Sequence, residues 1–170
     1  IDPSSSAAAN MGIRSLKRKD FEKAEVFYTY ALENEPDEIN KAQYAFRLAQ
    51  TYGAMNKNNS AKSFALKAAA FRSGWGEPYL LIGDLYAKTS RQCGELKTEF
   101  LKRVGYWAAI DKYEYAKRID PQLSTKSNER IEKYTKQMPS KTDIFTEGLI
   151  DEATYKIDCW YSETVKIRVP

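Results

Sequence analysis

The 170-residue chain has a net charge of +4, with 27 Lys and Arg interleaved with 23 Asp and Glu except at Lys17-Arg18-Lys19, so no long basic stripe follows a phosphate backbone and no nucleic-acid partner is expected. It contains no histidine, its two cysteines form no C-x-x-C pair, and it lacks a Gly-rich phosphate loop, which removes the Ser-His-Asp arrangement, His-pair zinc sites and the common nucleotide folds. A hydrophobic content of 42% suffices for a real core, yet no run approaches the roughly 18 to 20 apolar residues of a membrane span; no metal, cofactor or small-molecule substrate is expected.

The opening Ile1-Asp2-Pro3 resembles Ile119-Asp120-Pro121 and reads as the end of a preceding unit, either of a longer array or of a processed precursor. A first helix then carries Ala8, Met11-Gly12 and Ser15. In the next, Phe21, Ala24, Tyr28, Ala31 and Leu32 form one stripe of a 3.6-residue period while Glu22, Lys23, Glu25 and Glu33 face away, and Pro36 ends it. The pattern recurs. Ala45, Leu48-Ala49 and Tyr52 repeat the first-helix slots, Ala61, Ala65 and Ala68 the second-helix slots; Tyr79, Ile82-Gly83 and Tyr86, then Ala109, Tyr113, Ala116 and Pro121, repeat both again. Small residues at these slots allow helices to pack about 8 to 10 Å apart, and Gly12, Ala49 and Gly83 are expected to face Ala24, Ala61 and Ala109.

The third copy carries extra residues around Cys93-Gly94. Leu96, Phe100, Val104 and Trp107 keep helical spacing, which predicts that both helices of this copy are lengthened and project on the order of 10 Å, at 1.5 Å per residue. After Pro121, a polar segment with Ile131, Tyr134 and Met138 on one face reads as a capping helix. Ile144, Phe145 and Leu149 are candidates for a docking strap. The period then changes to two. Tyr155, Ile157 and Cys159, and later Val165, Ile167 and Val169, alternate with polar residues, which predicts a β-hairpin turning at residues 161–163 and docked on the helices.

The recurring slots resemble the tetratricopeptide repeat (TPR), a helix-turn-helix of about 34 residues. The resemblance covers residues 4–122, with Ser15 in place of a tyrosine and Ser73 near a proline slot as departures. It implies a mainly α fold: a right-handed TPR-type α-solenoid of about three helix pairs plus a capping helix over residues 1–138, followed by a strap and hairpin over residues 139–170. The tail is also similar to uncharacterised exported TPR proteins of Gram-negative bacteria, which implies a periplasmic or envelope location, with the cytoplasm as the alternative. The family binds protein or peptide segments along its first helices, so the resemblance implies a non-catalytic scaffold with Ala9, Ile13, Gln43, Phe46, Arg47, Gln50, Leu80 and Asp84 lining the groove. The lysine and asparagine that clamp a C-terminal carboxylate in one subclass are absent. A structural subunit of an envelope assembly would use the same groove; an enzyme is the rival class, and a nucleic-acid-binding subunit a further alternative. Cys93 and Cys159 would pair in an oxidising compartment and stay reduced in the cytoplasm; nothing in the sequence places them together.

Overall fold

The computed structural model describes residues 3–94 and 98–170, and the chain forms two compact units, Ile1–Leu81 and Ile82–Pro170. The first unit holds α1 (Ser5–Lys17), α2 (Phe21–Glu33), α3 (Glu38–Ala54), α4 (Asn58–Phe71) and the start of α5 (Glu77–Cys93). Each of the first three helices begins at a short polar residue whose side chain accepts a backbone N–H: Ser4 from Ala7, Asp20 from Lys23 and Asp37 from Asn40. The α1–α2 and α3–α4 turns share one geometry. Lys19 and Asn56 adopt left-handed φ of 59° and 58°, while Asp20 N donates to Ser15 O and Lys57 N to Tyr52 O, both at 2.9 Å. Ser15 therefore occupies the tyrosine slot of the first copy, and the weaker copy is in register.

Ala8, Ala24, Ala31, Ala42, Ala45, Ala49, Ala61, Ala65 and Ala68 are buried, as close helix packing requires. The glycines face different partners from those expected. The atoms nearest a Cβ on Gly12 belong to the Tyr28 ring, with Cζ at 2.9 Å, and those nearest one on Gly83 belong to Tyr113, with Cε1 at 2.5 Å. Glycine in these slots makes room for the aromatic ring four residues beyond Ala24 or Ala109, rather than for the alanine itself.

The second unit contains the rest of α5, α6 (Gly105–Ile119), a 3-10 turn (Pro121–Leu123), α7 (Ser124–Thr135), α8 (Lys141–Thr146) and an antiparallel hairpin of β1 (Thr154–Asp158) and β2 (Ser162–Lys166). The expected lengthening of both helices is not found. α5 has 17 residues, as α3 has, and α6 starts only at Gly105. Leu96 lies outside the described residues; residues 98–104 are turns folded back onto α5, where Ser90 Oγ donates to Lys102 O at 2.8 Å. Gly94 and Gly105 permit this, because a Cβ on Gly94 would lie 2.5 Å from Lys102 N and one on Gly105 2.7 Å from Ser90 Oγ. Phe100, Val104 and Trp107 are buried, and Tyr155 of the hairpin meets both Phe100 and Trp107 edge-on, so the hairpin covers these two rings.

α7 caps its unit through Tyr134, which stacks on Tyr106 and Tyr113; Met138 is buried just beyond the helix end. In the hairpin, Tyr155 pairs with Val165 and Ile157 with Glu163, so Ile157 and Val165 lie on the buried side, joined by Ile167. The turn occupies residues 159–161, two positions earlier than predicted, closed by Cys159 N donating to Tyr161 O at 2.9 Å. Of the expected strap, Ile144 is buried and Leu149 half-buried, but Phe145 points away from the core at 84% exposure. Cys93 and Cys159 form a disulfide with Cα atoms 5.5 Å apart.

Candidate functional site

On the first unit, the expected outward slots of α1, α3 and the start of α5 divide into two groups. Ala9, Phe46 and Leu80 are buried and belong to the core, contrary to their expected place on a binding surface. Phe46 is held edge-to-face against Trp75 with ring centroids 4.9 Å apart; periodicity placed it outward, but the chain after α4 folds Trp75 over it. Ile13 at 38% and Arg47 are exposed, and Gln43 and Gln50 are half-buried. Arg47 Nη1 donates to Gln50 Oε1 at 2.9 Å, which holds the guanidinium over α3.

Beneath them lies a residue whose polar role was not legible. The Tyr28 ring abuts Gly12 on α1, and its hydroxyl is buried without a hydrogen-bond partner among the described residues. Burial pushes this phenol up, opposed by the positive charge of Arg47. Gly12 of α1 thus packs on this phenol, and Arg47 of α3 acts on it through its charge.

At the lower edge of this unit, Glu35 is a nearly buried carboxylate that accepts from Ser5 Oγ at 2.7 Å and from Asp37 N at 3.2 Å. The Ser5 hydrogen bond holds it below the usual carboxylate range, with Asp37 N, Asn40 and Tyr44 adding to this. It ties the start of α1 to the turn before α3, a structural task.

On the second unit, Asp84 is not an open groove position. Its carboxylate accepts from Tyr113 Oη at 2.9 Å and from Arg130 Nε and Nη2 at 2.9 and 3.1 Å, a bidentate pair that joins α5, α6 and α7. A cleft of about 290 Å³ beside it is lined by Asp84, Glu129, Arg130, Lys133 and Tyr134. The signal for this joint is a carboxylate one residue after the glycine that receives the Tyr113 ring.

A Tyr-Glu-Lys arrangement is found in each unit. Tyr52 Oη donates to Glu25 at 2.9 Å with Lys57 on the same carboxylate; Tyr86 Oη donates to Glu163 at 2.6 Å with Lys112 on that one. The acid comes from a neighbouring helix in the first case and from β2 in the second. Burial, then the accepting carboxylate, pushes Tyr52 up to about 12 and raises Tyr86 further; burial likewise raises Tyr113 and Tyr161. Unfolded phenols ionise near 10. Since the folded values are raised, the stabilisation is complete below about pH 10 and is lost as pH rises through the folded values. Alkaline titration should therefore show loss of far-UV helical signal in step with tyrosinate absorbance above pH 10. Full ionisation of all twelve tyrosines by pH 11 with the helical signal intact would contradict these contacts.

Among the described residues no cluster of His, Cys, Asp and Glu could hold a metal ion, and no helix is long and apolar enough to cross a membrane.

No family model and no curated protein matches the sequence. Solved structures do. The chain is similar to the Arabidopsis OM64 TPR domain, at 20% identity over 79% of this chain and 96% of that one, with a TM-score of 0.59. It is similar to the TPR2B domain of yeast Sti1 in its complex with pHsp70, at 14% identity over 78% and 97%, with a TM-score of 0.62. It is also similar to the Sgt2 TPR domain from Aspergillus fumigatus, at 19% identity over 89% and 91%, with a TM-score of 0.62. With paired helices, small residues at their crossings and these likenesses together, the chain has the tetratricopeptide-repeat fold, extended by a C-terminal β-hairpin.

Proposed function

We propose that the chain is a non-catalytic interaction module that holds a segment of a partner protein against the first-helix face of α1 and α3. The observation that carries this reading is the set of side chains left accessible on these helices: Arg47, steadied by Gln50, with Gln43 on the same helix and Ile13 on α1. It combines a planar cationic fork, two amide side chains and an apolar contact, which suits a peptide with both polar and apolar groups. The Sti1 domain of the same fold is complexed with pHsp70, so a bound partner is within the repertoire of the fold. Catalysis has little to work with. The perturbed phenols are raised rather than activated, and Asp84 is committed to Arg130.

The location we propose is an oxidising one, the periplasm or cell envelope, because a Cys93–Cys159 bridge persists where thiols are not kept reduced. An envelope assembly is then the natural setting for the partner. The reading requires no cofactor, metal, nucleic acid or small-molecule substrate.

Arg47→Glu tests the surface. It reverses the charge of an exposed side chain without touching the core, so the melting temperature is expected to stay within about 2 °C of the parent. Capture of the partner from the source cells should fall at least tenfold in quantitative pull-downs. Undiminished capture would move the site away from α3.

A further inference from the structure

We infer that the α8–β1 corner is a second docking surface, and that its occupant is a basic protein segment with an apolar anchor. Phe145 and Ile150 are the most exposed large apolar side chains among the described residues, at 84% and 74%. They are not residues that failed to reach a core. Their neighbours Ile144 and Leu149 turn inward, and the backbone between them is fixed.

The fixing is explicit. Ser140 and Asp143 form a reciprocal capping box at the start of α8. At its end Gly148 takes a left-handed φ of 68°, with Gly148 N donating to Phe145 O at 3.0 Å and Leu149 N to Ile144 O at 3.1 Å. Glu152, also left-handed with φ 65°, donates its N–H to Ile167 O at 3.0 Å and so fastens the far end to the hairpin. A non-glycine residue in that region is strained, and such positions persist where the surroundings impose them. Phe145 and Ile150 are thereby presented to solvent from a rigid corner.

Charge selects the occupant. Although the chain as a whole is at +4, residues 141–152 carry Asp143, Glu147, Asp151 and Glu152 against a single Lys141. Arg103 lies 3.8 Å from Asp143 and Lys166 3.4 Å from Glu152, so two of the acids have basic neighbours within the fold. Glu147 and Asp151 are exposed and stand two residues after Phe145 and one after Ile150. Two exposed apolar side chains with exposed carboxylates close to them along the chain suit a Lys- or Arg-bearing segment and disfavour both an acidic peptide and an anionic bilayer. This surface is separate from Arg47 and does not depend on the function proposed for it.

The test uses the full oxidised chain and two synthetic fifteen-residue peptides of equal length and apolar content, each with one Phe and two Leu, one flanked by Lys and Arg and the other by Glu and Asp. Fluorescence anisotropy should show binding of the basic peptide only, weakened at least threefold between 50 and 200 mM salt, with amide shift changes confined to residues 143–152. Phe145→Ser with Ile150→Ser should cost at least tenfold in affinity, and Glu147→Lys with Asp151→Lys should abolish binding; both variants should melt with the parent because the changed side chains are exposed. Failure of the basic peptide to bind, equal binding of the two peptides, or unchanged binding by both variants would overturn the proposal. So would a dimer lost in Phe145→Ser/Ile150→Ser, or binding only to phosphatidylcholine vesicles, which would assign the patch to a second copy or a lipid surface.

Discussion

Reducing the Cys93–Cys159 bridge, or replacing both cysteines by serine, is expected to lower the stability of the Ile82–Pro170 unit by about 4 kcal/mol, since the bond closes a loop of 66 residues in the unfolded chain. The native contacts of the hairpin should survive. Trp160 Nε1 still donates to Thr89 Oγ1, Trp107 Nε1 to Arg168 O, and Arg168 still pairs with Asp111, while Ile157, Tyr161, Val165 and Ile167 stay buried. The loss therefore falls on the unfolded ensemble rather than on the fold's geometry. Hydrogen exchange of oxidised and reduced protein separates the two: faster exchange throughout residues 82–170 with α1–α4 unchanged is the expected result. Identical protection in both redox states would show that the bridge contributes nothing to stability.

Gly83→Ala is expected to destabilise the same unit by about 1 to 3 kcal/mol, an unusual cost for adding one methyl group to a helix. The new Cβ would sit 2.5 Å from Tyr113 Cε1. The ring cannot simply swing aside, because its hydroxyl is bound to Asp84, which Arg130 holds in turn, and Tyr134 stacks upon it. Helix propensity favours alanine by roughly 1 kcal/mol, so any net loss understates the clash. A double-mutant cycle with Tyr113→Ala isolates it: in that background, Gly83→Ala should be neutral or stabilising in thermal melts. An equal cost in both backgrounds would place the glycine against something other than the tyrosine.

The repeat was legible because its rule is local. A glycine or alanine at one slot and an aromatic or alanine at another recur along the chain, and Tyr28, Tyr52, Tyr86 and Tyr113 all fall where the pattern put them. The hairpin was legible from alternation, but its turn was not, since alternation runs through Trp160 and Tyr161 while Tyr161 is drawn inward to stack on Tyr86. The insert misled for a related reason. Phe100, Val104 and Trp107 are spaced like a helix face, yet their burial comes from the hairpin above them, and the close approaches at Gly94 and Gly105 turn the chain instead. The candidate face was half legible. Periodicity separates inward from outward slots, but only tertiary packing tells that Trp75 covers Phe46 and that Arg130 takes Asp84.

A partner segment held on the first-helix face of α1 and α3, as proposed, is within crosslinking reach of that face. A photo-crosslinking residue placed at position 43, 47 or 50, with position 67 on exposed α4 as the control, tests it most directly in the source cells. One and the same partner adduct is expected from positions 43, 47 and 50 and none from 67, with the adduct lost when Ile13→Glu is added. An adduct from position 67 with none from the three positions on α3 would contradict it.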